Sequence, residues 1–354
     1  MATSLAQRVA ARARVAGNFA RYSTTTSSSS IGIHLAASFS AKDRPYDPSS
    51  HVFSFGSPIS KSATRPDSGH DAFFVRRVGG SDAVAFGVAD GVGGWTESGV
   101  DPADFSHGLC RYMADAAGSD LSKSGPVTAR KLMEAGYDAV CRDKSLIAGG
   151  STACVAIAST DGVVDVANLG DSGYLQLRLN AVNAVSTPQT HAFNTPYQLS
   201  LVPPHMVAGF TDLPRDADVS QHHLRHGDLL LLATDGLLDN LFPQDILRIA
   251  SRAMVVSGAW ILTSSKRICV ADSLGNLVTN SPGGSPLQVL LATELVAAAK
   301  AASINTRIDG PFAKEVKRYY PRERWHGGKI DDICVIVAVA CENKPTSREA
   351  DSRG

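Results

Sequence analysis

Five aspartates in this chain stand where an apolar run gives way to a turn. They are Asp71 in Gly69-His70-Asp71-Ala72, Asp90 in Val88-Ala89-Asp90-Gly91-Val92-Gly93-Gly94, Asp171 in Asn168-Leu169-Gly170-Asp171-Ser172, Asp235 in Ala233-Thr234-Asp235-Gly236, and Asp331 in Lys329-Ile330-Asp331-Asp332-Ile333. One such residue means little, because Asp-Gly is an ordinary turn pair. Repetition changes the reading. If the apolar runs are strands of one core, their ends are brought together, and carboxylates gathered there repel unless a cation neutralises them. Oxygen donors in that number, without converging His or Cys, are a hard ligand set that suits Mg²⁺ or Mn²⁺ rather than zinc.

The elements that must position these acids are short. Runs rich in Val, Ile, Phe and Leu at 72–78, 83–89, 152–158, 163–168, 174–178, 228–234 and 333–340 read as strands. Gly79-Gly80, Asp161-Gly162, Asp171-Ser172-Gly173 and Asp235-Gly236 punctuate them as turns. Helices are expected over 102–117, 126–142 and 287–302, with Pro102 and Pro126 suited to a first helical turn. Strands come in hairpin-spaced pairs and helices fall between pairs, a pattern of antiparallel sheets with helices outside rather than of a doubly wound parallel sheet.

Composition sets the bounds. The chain has 354 residues, 44% hydrophobic and 19% charged, enough for one large core or two medium ones. Lys+Arg and Asp+Glu are both 34, so no net charge draws the protein to nucleic acid. No apolar stretch of about 18 residues exists to form a membrane-spanning helix. The six cysteines lack a Cys-x-x-Cys pair and most sit in apolar segments, so they read as reduced thiols rather than a disulfide framework or zinc site. Residues 1–42 contain no acid, while Arg8, Arg12, Arg14 and Arg21 are spaced among alanines and valines and a Ser/Thr tract follows. That is the composition of an organellar transit peptide, expected over 1–30, with a basic tail carrying no address as the plainer alternative. The main domain is expected over 31–341, with 251–284 as an insertion forming a hairpin or surface loop, and 342–354 as a loose polar tail.

In order along the chain stand Asp-Ala at 71–72, Asp-Gly-x-Gly-Gly at 90–94, Gly-Ser-Thr-Ala at 150–153, Asn-x-Gly-Asp-Ser at 168–172, Ala-Thr-Asp-Gly-Leu-x-Asp at 233–239 and Asp-Asp-Ile-x-Val at 331–335. This series resembles the metal-dependent, type 2C serine/threonine protein phosphatases. The segment Phe193-Asn194-Thr195-Pro196-Tyr197-Gln198-Leu199-Ser200 resembles the mitochondrial branch, in agreement with the transit composition and with a matrix location. The resemblance implies an α+β fold, two antiparallel β-sheets packed as a sandwich with helices on both outer faces, and a metal site at one sheet edge. It implies that Asp90 bridges two Mn²⁺ or Mg²⁺ ions, that Gly91 lends a backbone carbonyl, and that Asp235 and Asp331 ligate the second ion. Asp71 would hold metal-bound waters, and Asp171 with Asp235 would frame a third position. Asp90, Asp235 and Asp331 would thus be the catalytic acids, and Asn240 a loop-shaping residue. The implied reaction is direct attack of a metal-bridging hydroxide on phosphoserine or phosphothreonine of protein substrates, by a chain acting as a monomer.

Two positions depart from the family pattern. Val92 stands where many members carry a histidine that resembles a general acid, and valine cannot transfer a proton; such a loss costs about 10²–10⁴-fold. Pro66 stands where the phosphate-binding arginine is usual, which makes Arg65 the candidate for that role. The departures raise an alternative, a catalytically silent relative acting as a binding module. Against it stands the retained acid cluster, which costs stability without metal. Hydrolysis of small phosphoesters is a third reading, since specificity resides in variable loops.

Overall fold

The structure is a computed structural model, and it describes residues 30–56, 65–119, 126–204, 206, 209–279 and 284–343. The expected transit segment and nearly all of the polar tail lie outside the described residues.

Eleven strands build two antiparallel sheets. They are β1 (Ile31–Ser40), β2 (Val52–Ser54), β3 (Asp71–Arg77), β4 (Val84–Asp90), β5 (Ala153–Ala158), β6 (Val163–Leu169), β7 (Gly173–Arg178), β8 (Ala181–Val185), β9 (Asp218–His223), β10 (Leu229–Ala233) and β11 (Ile333–Glu342). One sheet has the order β2-β1-β11-β10-β7-β8 and the other β9-β6-β5-β4-β3. The principal helices are α1 (Pro102–Gly118), α2 (Ala129–Arg142), α3 (Pro243–Val256), α4 (Leu287–Ser303) and α5 (Pro311–Tyr319).

Strand alternation sorts the side chains into three apolar layers. Leu230 and Leu232 of β10 meet Phe86 and Val88 of β4, Ala156 of β5 and Ile336 of β11 between the sheets. Leu229 and Leu231 point the other way, against Ile246 and Ala250 of α3 and Leu291, Leu295 and Val296 of α4. On the far side, Phe74, Ala85, Ala89 and Val155 pack under Phe105, Leu109 and Met113 of α1 and Leu132 and Met133 of α2. The layering is helix, sheet, sheet, helix, as the resemblance implies. The β10 run is apolar at every position because both its faces are buried, so its period-2 pattern is hidden in the sequence.

Differences from the sequence reading are local. Helix α2 begins three residues later than expected, because the Thr128 hydroxyl caps it by accepting from Lys131 N–H at 3.3 Å. Segment 251–284 is neither all hairpin nor all loop. It holds the end of α3, a two-stranded hairpin pairing Trp260–Leu262 with Ile268–Val270, and a short helix at Leu274–Thr279. Trp260 is fully buried and donates to Gly227 C=O at 3.2 Å, which anchors the hairpin to the sheet. Most consequential, the acid-bearing strand ends gather at one end of the sandwich, and apart from Asp71 on the edge strand β3 they do not lie along a lateral sheet edge. β4, β10 and β11 are interior strands, and Ala233 is registered with Val335 on one side and Gly173 on the other.

Candidate metal centre

Five strand junctions converge there. Asp71 opens β3 directly opposite Asp90, which closes β4. Asp171 lies in the turn from β6 to β7, Asp235 follows β10, and Asp331 precedes β11. Asp90, Gly91, Asp171, Asp235 and Asp331 line one cleft of about 340 Å³ together with Lys42, His70, Val92 and Lys329. Asp71 lies buried behind it, 1% exposed, where its Oδ2 accepts from Thr234 Oγ1 at 2.7 Å.

The flanking motif residues hold the backbone of these acids. Asp90 N–H donates to Thr152 Oγ1 at 3.2 Å, and its carbonyl accepts from Thr152 N–H at 3.0 Å and Ser151 Oγ at 2.8 Å. Gly150-Ser151-Thr152 is therefore the clamp on Asp90, a role that its spacing alone does not disclose. Gly91 is needed because a Cβ there would stand 2.5 Å from Pro102 C=O. Asp332, the second acid of its pair, does not line this cleft and accepts from the N–H groups of Lys42 (2.7 Å) and His70 (2.9 Å). Gly69, at φ 67°, passes so close that a Cβ would overlap the Asp332 carboxylate. Asn240 bridges the turn after β10 to the approach of β11, donating to Gly236 C=O (2.9 Å) and Lys329 C=O (2.8 Å) and accepting from Lys329 N–H (2.9 Å). It shapes the loop, as expected.

Lys329 was not singled out by sequence, yet it is central. Its ammonium lies 2.5 Å from Asp235, 2.7 Å from Asp239 and 3.0 Å from Asp331. Burial alone would lower its pKa, but these carboxylates outweigh burial and hold it well above the ordinary lysine value. Asp235 is the reciprocal case: burial would raise it, and the Lys329 charge and hydrogen bond bring it below the usual carboxylate range. The others go up. Burial, then neighbouring acids, raises Asp71 and Asp90 well above their ordinary value. Burial followed by Asp235 and Asp239 does the same for Asp171, and burial with Asp235 raises Asp331. Asp239 is raised to about 7 by burial, against the pull of Lys329.

This donor set fits hard divalent cations. Asp71 Oδ1, Asp171 Oδ1 and Asp235 Oδ1 are buried carboxylate oxygens without a hydrogen-bond partner, a costly condition that an ion relieves. Among the described residues no three acidic, His or Cys side chains stand ready-arranged around a common ion. The Lys329 ammonium instead draws Asp235, Asp239 and Asp331 about itself.

Arg65 is placed elsewhere. Its guanidinium pairs with Asp101 (3.4 Å) and Asp104 (3.1 Å) at the start of α1, on the surface, and it does not line the cleft. Val92 does line it, its N–H donating to Gly150 C=O at 2.9 Å, so the wall at that point is apolar.

A two-sheet sandwich flanked by helices, with a carboxylate cluster across its strand ends, is the architecture of a metal-dependent hydrolase. Residues 63–258 match the family model described as protein phosphatase 2C. The chain is 34% identical over 275 residues to the Drosophila yakuba protein phosphatase PTC7 homolog fig, covering 76% of this chain and 75% of that one. It is 33% identical over 288 residues to the mitochondrial protein phosphatase 2C homolog 7 of Saccharomyces cerevisiae, covering 78% and 76%. Among solved structures, that of the photosystem II phosphatase PBCP superimposes with a TM-score of 0.58 at 26% identity, covering 89% of this chain and 99% of that one. The chain belongs to the protein phosphatase 2C family. It is a metal-dependent protein serine/threonine phosphatase, and phosphoproteins are its substrates.

Proposed function

We propose that Asp71, Asp90, Gly91, Asp171, Asp235 and Asp331 hold the divalent ions of this phosphatase, Mn²⁺ or Mg²⁺. The observation that carries the assignment is the set of buried, unpartnered carboxylate oxygens on Asp71, Asp171 and Asp235 at converging strand ends. Asp90 would be shared between the ions, since it lines the cleft and stands directly opposite Asp71 in the sheet. When bound, the ions supply a deprotonated water as nucleophile and neutralise the phosphate oxygens. The chain's own residues set the rest. Thr152 and Ser151 fix the Asp90 backbone, Thr234 orients Asp71, and Asn240 holds the Lys329 segment against the turn bearing Asp235. Val92 donates no side-chain proton, so the leaving alkoxide takes its proton from solvent or another group, and turnover is slower than a histidine at that position would allow.

The test is phosphate release from a phosphothreonine peptide by the full chain with Mn²⁺, with Mg²⁺ and with excess EDTA. Activity is expected with either ion and a fall of at least about tenfold with chelator. Undiminished turnover in EDTA would sink the metal-centre reading. A silent binding module, by contrast, shows no turnover with either ion.

The substrates are proposed to be mitochondrial phosphoproteins in the matrix, and the chain to act on them as a monomer. Support for the location comes from the acid-free, arginine-spaced segment 1–42 and from the name of the yeast relative. A fluorescent fusion of the full chain should enter mitochondria, and one starting at Ile31 should stay in the cytosol while keeping its turnover. Cytosolic distribution of the full-length fusion refutes the address.

A further inference from the structure

The cleft still needs a cation for the substrate's phosphate, and Arg65 is committed to α1. Two lysines line the cleft, and they differ in kind. Lys329 is spent on three carboxylates. Lys42 is half-buried, lines both the metal cleft and the adjoining cavity of about 460 Å³, and its ammonium has no ion-pair or hydrogen-bond partner among the described residues.

Its backbone, in contrast, is tied from both sides. The Lys42 N–H donates to Asp332 Oδ1 at 2.7 Å, and its carbonyl accepts from Lys300 Nζ at 2.9 Å, the same ammonium that also reaches Ala41 C=O at 2.7 Å. Register explains the placement. Ser40, the last residue of β1, pairs with Ile333 of β11, so Lys42 lies two residues beyond β1 on the side where Asp331 lies two residues before β11. The carboxylate that receives Lys42 N–H also receives His70 N–H, beside Asp71. A fixed main chain at the wall of an acid-lined cleft, bearing an ammonium without an ion-pair partner among the described residues, is the arrangement of a preorganised anion-binding group.

We propose that Lys42 binds the substrate phosphate, supplying from the end of β1 the cation that Arg65, paired with Asp101 and Asp104, does not deliver. Lysine serves as a point charge toward a phosphate dianion, without the bidentate fork of arginine. The inference rests on the metal-centre reading above, and Mn²⁺ binding separates the two.

The experiment compares the Mn²⁺-loaded full chain with its Lys42→Met, Lys42→Arg and Arg65→Met variants. It reads KM and kcat on a phosphothreonine peptide, inhibition by inorganic phosphate, Mn²⁺ affinity by calorimetry, and the melting temperature. Lys42→Met is expected to weaken phosphate inhibition and raise KM by about tenfold, with kcat changed by less than about threefold. Lys42→Arg should recover most of the loss. Mn²⁺ affinity in Lys42→Met should be equal or tighter, since a nearby positive charge has been removed. Unchanged phosphate inhibition in Lys42→Met overturns the proposal. So does a loss confined to Arg65→Met, or a Lys42→Met variant in which Mn²⁺ affinity and melting temperature fall together, which marks Lys42 as structural. Failure of wild type to bind Mn²⁺ refutes the metal centre instead.

Discussion

Asp90→Asn is expected to keep the fold and lose at least about 10²-fold in kcat at saturating Mn²⁺, an effect of the size seen when one dominant electrostatic element of a site is deleted. The fold survives because what holds residue 90 is its backbone, through Thr152 and Ser151, and asparagine keeps those bonds and the side-chain volume. Asn-Gly is also as good a turn pair as Asp-Gly. What changes is charge. The carboxylate proposed to lie between two divalent ions becomes a neutral amide with one oxygen. Burial, and then the neighbouring carboxylates of Asp235, Asp71, Asp331 and Asp171, hold its pKa well above the ordinary value, so a charge at this position is repelled when no cation is bound. The metal-free variant should therefore melt at or above the wild-type temperature, and added Mn²⁺ should stabilise it less than wild type. A kcat near wild type would show that Asp90 is a turn residue and nothing more. A collapse of the metal-free melting temperature would show that the side chain, not the backbone, holds the junction.

The acids were legible from sequence because each marks a junction between an apolar strand and a turn, and because the series of short motifs keeps its order. Antiparallel pairing with helices outside followed from hairpin-spaced strands with helices between them, and the two-sheet layering from the resemblance. Other features resisted for physical reasons. Half of β1 is Ala, Ser and Gly, and it takes its strand character from pairing with β11 over its whole length rather than from local composition. Helix α3 follows Phe242, opens on Pro243 and lies within a stretch mixing charge with apolar residues, and its buried face is set by the sheet beneath it. At the site, Gly150-Ser151-Thr152 could be quoted as a motif, but its work on Asp90 is done through backbone bonds that no residue type announces. Arg65 was chosen by distance along the chain, whereas the cleft is assembled from segments distant in sequence. Lys42 enters through strand pairing, and Lys329 through the turn that Asn240 buckles to the end of β10. The sheet-edge placement failed for a related reason: acids at strand ends gather at the end of a sandwich whichever strands are interior.

Lys329 leads to the second large effect. Its ammonium touches Asp235, Asp239 and Asp331, two of them proposed ligands, so it and a divalent ion compete for the same oxygens. Loading the wild-type site must therefore break a buried ion-pair cluster, a disruption that costs about 3–5 kcal/mol when a partner is simply removed. In Lys329→Met the competitor is gone, together with its ammonium's contact over the Phe312 ring at 5.0 Å, while most of the stem volume is kept. Mn²⁺ should then bind tighter by about 10²-fold, corresponding to about 3 kcal/mol. The metal-free protein should move in the opposite direction. With no ammonium among them, the three carboxylates repel, and burial drives one or more to protonate, so the melting temperature in EDTA should fall. The gap between metal-loaded and metal-free melting temperatures therefore widens from both sides. Calorimetric titration with Mn²⁺ and paired melts measure this without recourse to turnover. If Lys329→Met binds Mn²⁺ no more tightly than wild type, the lysine does not hold the ligands away from the ion, and its cluster with Asp235, Asp239 and Asp331 is compatible with a loaded site. If the affinity rises and the metal-free melt falls together, the lysine is a tethered cation that keeps a repelling acid cluster folded until the ions arrive.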